Sequence, residues 1–299
     1  MVFYLGKDLL KEGLKTYFAK YKFKNTELKD FIAELSDAAK RLNLQVDFQE
    51  WSDTWLTTSG CATIELEFKK DEASGNFTEF SLVQTPYNKE NTPSNRLRVQ
   101  ALNVTALDEN MKVIKTVRVE TSATSNETRI PEFVGPQGTK IHCFLINHGC
   151  HAYGKFGISE MTLKALETGL HKIESSLDRK QIINIMFDMI KSGKIPASRV
   201  LYILKKNFEH ETAVDILQDT FKSVIPGILG RYLHTEVVEE RNAEMFDMTM
   251  RIMMSGKFNS NLQAMEVLVN SAISFDRDAI NVYKWFVAGK VLDAAGKQV

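Results

Sequence analysis

Residues 61–69, Cys61-Ala62-Thr63-Ile64-Glu65-Leu66-Glu67-Phe68-Lys69, set Ile64, Leu66 and Phe68 against Thr63, Glu65, Glu67 and Lys69 in strict alternation. A period of two sends successive side chains to opposite faces of an extended chain, so this stretch reads as a half-buried strand. Further strands are expected at residues 77–85, 97–107, 111–120 and 140–147, with turn-forming stretches at 71–76, 86–95 and 108–110 between them. Five strands at short spacing, with no helical pattern between them, predict a small antiparallel β-sandwich rather than a βαβ sheet.

On the N-terminal side the period is helical. Within residues 5–42, Leu9, Leu10, Leu14, Tyr17, Phe18 and Tyr21 recur every three or four positions. Asn25 and Thr26 interrupt the stripe, and Leu28, Phe31, Ile32, Leu35 and Ala39 begin another, with Thr26 placed as N-cap. The prediction is a short helical hairpin. Trp51 and Trp55, one turn apart in a polar segment, read as a buried aromatic anchor between the helical and β regions.

After residue 159 the helical period returns. Ile182, Ile183, Ile185, Met186, Met189 and Ile190 mark one helix, opened by the capping pattern Asp178-x-x-Gln181. Pro196 reads as the first residue of the next, which buries Val200, Leu201, Leu204 and Phe208. More helices are expected at 213–232, 237–254, 262–273 and 279–294. Consecutive helices with short links predict a C-terminal α-helical, HEAT-like stack. The fold class is therefore multidomain α and β: a helical segment at 1–49, a β-sandwich at 50–158 and a helical domain at 159–299.

Composition narrows the function. The 299 residues carry 38 basic and 38 acidic side chains, so the chain has no net charge with which to neutralise a phosphate backbone, and nucleic acid is not expected as a partner. No apolar run approaches the roughly 20 residues of a membrane span. Residues 1–24 are basic, but Asp8 and Glu12 argue against a transit peptide, and no signal peptide is visible. Three cysteines, Cys61, Cys143 and Cys150, do not make a disulfide scaffold, which points to the cytoplasm or another reducing compartment. The sequons at Asn76, Asn103 and Asn126 are read as chance.

No catalytic or cofactor-binding residue is assigned. His142, Cys143, His148, Cys150 and His151 place five metal-binding side chains within ten positions and are the metal candidates. Against them, alternation along a strand sends neighbours to opposite faces, so the expectation is no metal site, with loop histidines and a buried thiol in its place. Gly135-Pro136-Gln137-Gly138 reads as a turn, not a phosphate loop, and no nucleophile elbow is present. Met245, Met248, Met250, Met253 and Met254 share one predicted helix and read as core. Glu236, Glu239, Glu240, Arg241 and Glu244 read as its solvated face.

The order of several motifs resembles a known family. Residues 7–30, KDLLKEGLKTYFAKYKFKNTELKD, resemble a "GL..YF.KY.Y.NT...DF" segment late in the catalytic domain of zinc aminopeptidases of the aminopeptidase N and puromycin-sensitive class. Residues 51–65, WSDTWLTTSGCATIE, are similar to that family's "W...WL.T.G.P.L" exit into a small β-sandwich. Phe144-Leu145-Ile146-Asn147, then Tyr153-Gly154-Lys155-Phe156, resemble the segment leading into its C-terminal helical domain, and residues 279–290, AINVYKWFVAGK, have a counterpart there.

The resemblance implies a zinc-dependent removal of N-terminal residues from peptides by the intact enzyme. It also implies zinc ligands in H-E-x-x-H plus a distant Glu, and amine recognition by G-x-M-E-N; neither motif occurs in these 299 residues. A catalytic tyrosine in a Y-E-K-G-like motif is implied as well, but Tyr4, within Met1-Val2-Phe3-Tyr4-Leu5-Gly6, lacks that context and is not assigned the role. The expected function is the non-catalytic C-terminal portion of such a protein, holding no zinc itself. The expected partner is a catalytic aminopeptidase half or another subunit, and the Leu9, Leu14, Phe18 stripe is expected to need one. The alternative is a catalytically silent pseudoenzyme serving as a structural or adaptor subunit.

Overall fold

The computed structural model describes residues 2–87 and 97–275. It mixes helices with two small sheets and divides into two compact units. One comprises Met1–Asp108 and Val113–Ser159, the other Glu109–Lys112 and Glu160–Val299. The strand-like and helix-like periods thus sort into β-rich and helical regions. The helix expected at 279–294 and the resemblance at 279–290 lie outside the described residues.

The first unit opens with α1 (Val2–Leu5), α2 (Lys7–Tyr21), α3 (Leu28–Arg41) and α4 (Phe48–Trp55). Helices α2 and α3 form the expected hairpin around a core of Leu5, Leu9, Ile32, Leu35, Ala38, Ala39, Phe48 and Trp51. The predicted cap is displaced by one residue. The Thr26 hydroxyl lies 2.6 Å from that of Tyr17, while the Glu27 N–H donates to Asp30 Oδ2 at 2.9 Å, so α3 starts after Glu27. The predicted open stripe is also split, because Leu9 is buried under α3 and Leu14 half-buried. Exposed apolar surface collects instead at Phe18, Phe23 and Leu28.

Among the described residues seven strands follow: β1 (Thr63–Lys70), β2 (Phe77–Thr85), β3 (Ala101–Leu107), β4 (Val113–Glu120), β5 (Glu127–Arg129), β6 (Cys143–Ile146) and β7 (Lys155–Phe156). They make one sheet in the order β5-β2-β1-β7 and another in the order β4-β3-β6. Pairing is antiparallel except for β7, which lies parallel to β1 with Lys155 opposite Thr63 and Phe156 opposite Ile64. This corrects the expectation of a purely antiparallel arrangement. The chain leaves β6 in one sheet and rejoins the other beside β1, where Lys155 N–H donates to Ala62 O at 3.0 Å and Gly157 N–H to Ile64 O at 2.9 Å.

The two sheets share one aromatic cluster. The Phe144 ring of β6 lies 4.6 Å from Phe80, 5.2 Å from Phe133, 5.4 Å from Phe77 and 5.8 Å from Phe68, centroid to centroid. These separations and tilted or edge-on geometries are those in which the ring quadrupoles attract.

The second unit contains α5 (Glu160–Gly169), α6 (Ser176–Lys191), α7 (Ala197–Asn207), α8 (Val214–Asp219), α9 (Ile225–Arg231), α10 (Thr235–Met254) and α11 (Leu262–Phe275). Asp178-x-x-Gln181 is not the cap of α6: the Ser175 hydroxyl accepts the Asp178 N–H at 3.2 Å, three residues earlier. Pro196 is the N-cap of α7, its ψ of 135° still extended, so that helix begins one residue later than predicted. The single helix expected at 213–232 is broken by a wide π turn at Thr220–Val224, which ends two residues before Pro226. A proline there lacks the N–H of an ordinary turn and crowds the carbonyl four residues back, and widening the turn relieves both.

Met245, Met248 and Met253 are buried, while Glu236, Glu239 and Glu240 face outward. Two polar ties hold the helices. The Asn207 amide donates to Leu166 O, Glu167 O and Ile203 O at 2.8–3.1 Å, and its oxygen accepts from the His171 N–H at 3.1 Å. Arg179 grips Glu211 with two bonds of 2.7 and 2.9 Å, and the Thr212 and Ala213 N–H groups add two more. Burial alone would push the Glu211 carboxyl up, but the Arg179 and backbone donors outweigh it and hold the group below the usual glutamate range.

Two outcomes are expected. Phe144→Ala should destabilise the first unit by about 3–5 kcal/mol, and Phe144→Leu by clearly less, in urea unfolding followed by tyrosine and tryptophan fluorescence. For Glu211, a folded pKa below the unfolded one means its stabilisation is present above about pH 4.3 and is lost as pH falls through the folded value. Glu211→Gln should therefore lower stability at pH 7 and flatten the acid limb of a Tm-versus-pH profile.

Candidate functional site

The cleft of most interest in the first unit has a volume of about 120 Å³ and is lined by Tyr4, Trp51, Trp55, Gln100, Ala101, His151, Ala152 and Tyr153. The anchor read from the Trp51 and Trp55 spacing builds one wall. Both lie on α4, capped by Asp47, whose carboxylate accepts the Glu50 N–H at 2.8 Å. Trp51 is buried, and the Trp55 indole N–H donates to Val99 O at 2.7 Å, which fastens the helix to the segment entering β3.

Behind Trp55 sits Arg98, a buried cation with its guanidinium 5.2 Å from the ring centre. Its donors reach the Thr58 hydroxyl, Ser59 O at 3.0 Å and Gly60 O at 2.8 Å. Burial pushes its pKa down, and the nearby Cys61 opposes that shift.

The opposite wall comes from the turn after β6. Asn147, Gly149 and Cys150 all have positive φ, and the Asn147 side chain clamps the turn, its oxygen accepting the Ala152 N–H at 2.8 Å and its amide donating to Ala152 O at 3.2 Å. Tyr153, 70% exposed, forms the rim at 6.3 Å from Trp55. His151 stacks on Phe3 at 3.8 Å with the rings parallel to within 1°, and Arg118 lies over Phe3 at 5.4 Å. Burial pushes the Tyr4 phenol up, helped by Glu120, Glu50 and Asp47 and opposed by Arg118, so it stays a protonated donor at neutral pH.

Gln100 completes the site. It is 4% exposed, and its oxygen accepts the Tyr153 N–H at 3.2 Å, which fixes the orientation of the amide. The amide nitrogen, also buried, has no hydrogen-bond partner among the described residues.

The metal candidates do not converge. His142 lies before β6 and is exposed; Cys143 begins the strand and is buried; His148, Cys150 and His151 lie beyond its far end. Six extended residues from 142 to 148 span about 20 Å, far beyond the reach of one ion. Among the described residues no group of three or more His, Cys, Asp or Glu side chains is placed to hold a metal ion, so the five candidates do not come together as zinc ligands. The His210-Glu211 pair is followed by Val214 where a second histidine would complete H-E-x-x-H, and the Glu211 carboxylate is already engaged by Arg179. A second, more polar groove of about 480 Å³ runs along β2 and β5 past Glu79, Glu127 and Arg129.

Sequence reasoning located the tryptophans and His151 but missed Tyr4, Gln100 and Tyr153. The one available signal was the polar Gln100 in an otherwise apolar strand entry, Val99-Gln100-Ala101-Leu102.

Among the described residues no helix is long and apolar enough to cross a membrane. No family model matches the chain. Aminopeptidase N of Streptomyces lividans is 25% identical to it over 228 residues, which cover 75% of this chain and 26% of that protein. The chain thus has an aminopeptidase N-like relationship over part of its length, and the match spans about a quarter of that relative.

The thiols around β6 should differ sharply in reactivity. Burial, reinforced by Asp108, pushes the Cys143 thiol up to about 12, whereas Cys150 is exposed. With a maleimide at pH 8, mass spectrometry of peptides should find Cys150 modified at least about tenfold faster than Cys143, the gap closing in denaturant.

Proposed function

We propose that this chain is the non-catalytic C-terminal portion of a zinc aminopeptidase-like protein. The observation that carries the reading is the 25% identity to Aminopeptidase N over three quarters of the chain. The order of the motifs at residues 7–30, 51–65 and 144–156 agrees with it. On this reading residues 1–49 complete a catalytic domain, 50–158 form a β-sandwich, and 159–299 form a HEAT-like stack beside a peptide chamber. Exposed Phe18 and Phe23 suit a face that the catalytic part covers.

Water activation in this reaction class needs a Lewis-acidic ion and a nearby general base. H-E-x-x-H does not occur in the chain, and among the described residues the acids and histidines do not gather around one point. Zinc would be held by the catalytic portion, which would also recognise the peptide amine, while this portion shapes access.

The purified chain is expected to leave alanyl- and leucyl-p-nitroanilide intact and to retain no stoichiometric zinc after dialysis. A polypeptide or complex containing it together with an H-E-x-x-H sequence should hydrolyse both in a chelator-sensitive way. Hydrolysis by the purified chain alone would contradict the proposal. An inactive assembly with no zinc peptidase in it would favour the pseudoenzyme subunit.

A further inference from the structure

We propose that His171 and His210, at the adjoining C-terminal ends of α5 and α7, together ligate a divalent transition cation through one ring nitrogen each. This goes beyond the aminopeptidase-like reading, does not depend on it, and involves none of the zinc which that reading gives to the catalytic portion.

Asn207 decides which nitrogen of His171 carries the proton. Its amide group donates to Leu166 O, Glu167 O and Ile203 O, so its orientation is fixed and its Oδ1 can only accept. Two groups approach that oxygen, the His171 backbone N–H at 3.1 Å and the ring Nδ1 at 2.7 Å. In the neutral ring Nδ1 therefore bears the hydrogen and Nε2 the lone pair. Asn207 is 2% exposed, and a buried acceptor that holds one imidazole nitrogen while leaving the other as an electron-pair donor is the arrangement that orients histidine ligands in metal sites. Nε2 lies across the ring from the Asn207 bond and has no hydrogen-bond partner among the described residues. His171 is half-buried, yet Nε2 is not among the atoms sealed off from water, so an ion from solvent reaches it.

His210 supplies the other ligand. Its ring is exposed, and its centre lies 4.4 Å from that of His171 with 29° between the planes. Two imidazole nitrogens bound at about 2.1 Å to one ion are at most about 4.2 Å apart. Rings this close reach that separation when His210 swings about its own side-chain torsions while Asn207 holds His171 still. The ion then sits at the edge of the stack, not between its faces.

The surroundings favour positive charge. α5 ends at Gly169 and α7 at Asn207, just before the two histidines, so the negative ends of two helix dipoles lie close by. Among the described residues no third His, Cys, Asp or Glu joins the pair, and water completes the coordination shell. Imidazole pairs suit copper, nickel and zinc rather than the oxygen-seeking magnesium and calcium. With two protein ligands the site is an exchangeable one that dialysis empties.

The test titrates the full chain, stripped with a chelator and dialysed, with nickel chloride in a calorimeter at pH 7.5; nickel takes imidazole without the strong thiol preference that would draw zinc to the cysteines. One saturable site per chain is expected, and none with magnesium chloride. His210→Gln, at an exposed position, and His171→Gln should each weaken nickel binding at least about tenfold, because each removes one of the two ligands. His234→Gln, which removes an exposed histidine elsewhere in the same unit, should leave the affinity unchanged. If His171→Gln does not fold, His210→Gln decides alone. No saturable nickel binding up to about 1 mM would overturn the proposal. So would undiminished binding in His210→Gln, or an equal loss in His234→Gln.

Discussion

The packing of Phe144 against Phe68, Phe77, Phe80 and Phe133 is the contact on which the first unit depends. Each sheet alone is three or four strands wide and would leave one apolar face in water. The shared ring cluster removes both faces from solvent at once, and in doing so it fixes where β6 ends. From that end the turn at residues 147–153 is thrown toward α4, so the position of His151 and Tyr153 opposite Trp51 and Trp55 follows from a hydrophobic contact several residues away. The cleft is in this sense a by-product of sheet packing that the polar groups then define. Asn147 clamps the turn, and Trp55 ties α4 to Val99.

The second unit is held differently. Its apolar stripes supply the bulk of the burial, but the helix ends are joined by polar groups that cannot be left unpaired. Asn207 satisfies carbonyls at the end of α5, and Arg179 and Glu211 neutralise one another while capping the backbone at Thr212 and Ala213. A buried pair of this kind is costly to break, because removing either partner strands the other charge. The same engagement leaves the Glu211 carboxylate committed to structure.

Much of the fold was legible in periodicity. Ile64, Leu66 and Phe68 marked a strand, and the isoleucines and methionines of 182–190 marked a helix, because burial on one face imposes a spacing that one segment reveals by itself. Boundaries were less legible. Thr26 and Asp178 look like caps, yet the hydroxyl of Tyr17 engages the first and Ser175 takes the role of the second, and both outcomes depend on neighbours in space. The parallel strand Lys155–Phe156 is two residues long and has no periodic signature at all. The candidate site was half legible: the tryptophan pair sits on one helix, whereas Tyr4, Gln100 and Tyr153 are brought together only by the tertiary fold. The histidine and cysteine cluster, dense in sequence, is spread along and across β6 by the geometry of an extended chain.

The central claim is that this polypeptide supplies the part of an aminopeptidase-like protein that does no chemistry. The most direct test is the native mass of the species that contains it in its own source, with every associated sequence identified by its peptides. The account predicts that residues 1–299 are found in covalent continuity or fixed stoichiometry with a sequence bearing H-E-x-x-H and G-x-M-E-N. Recovery of the chain alone, or in an assembly without such a sequence, would contradict it.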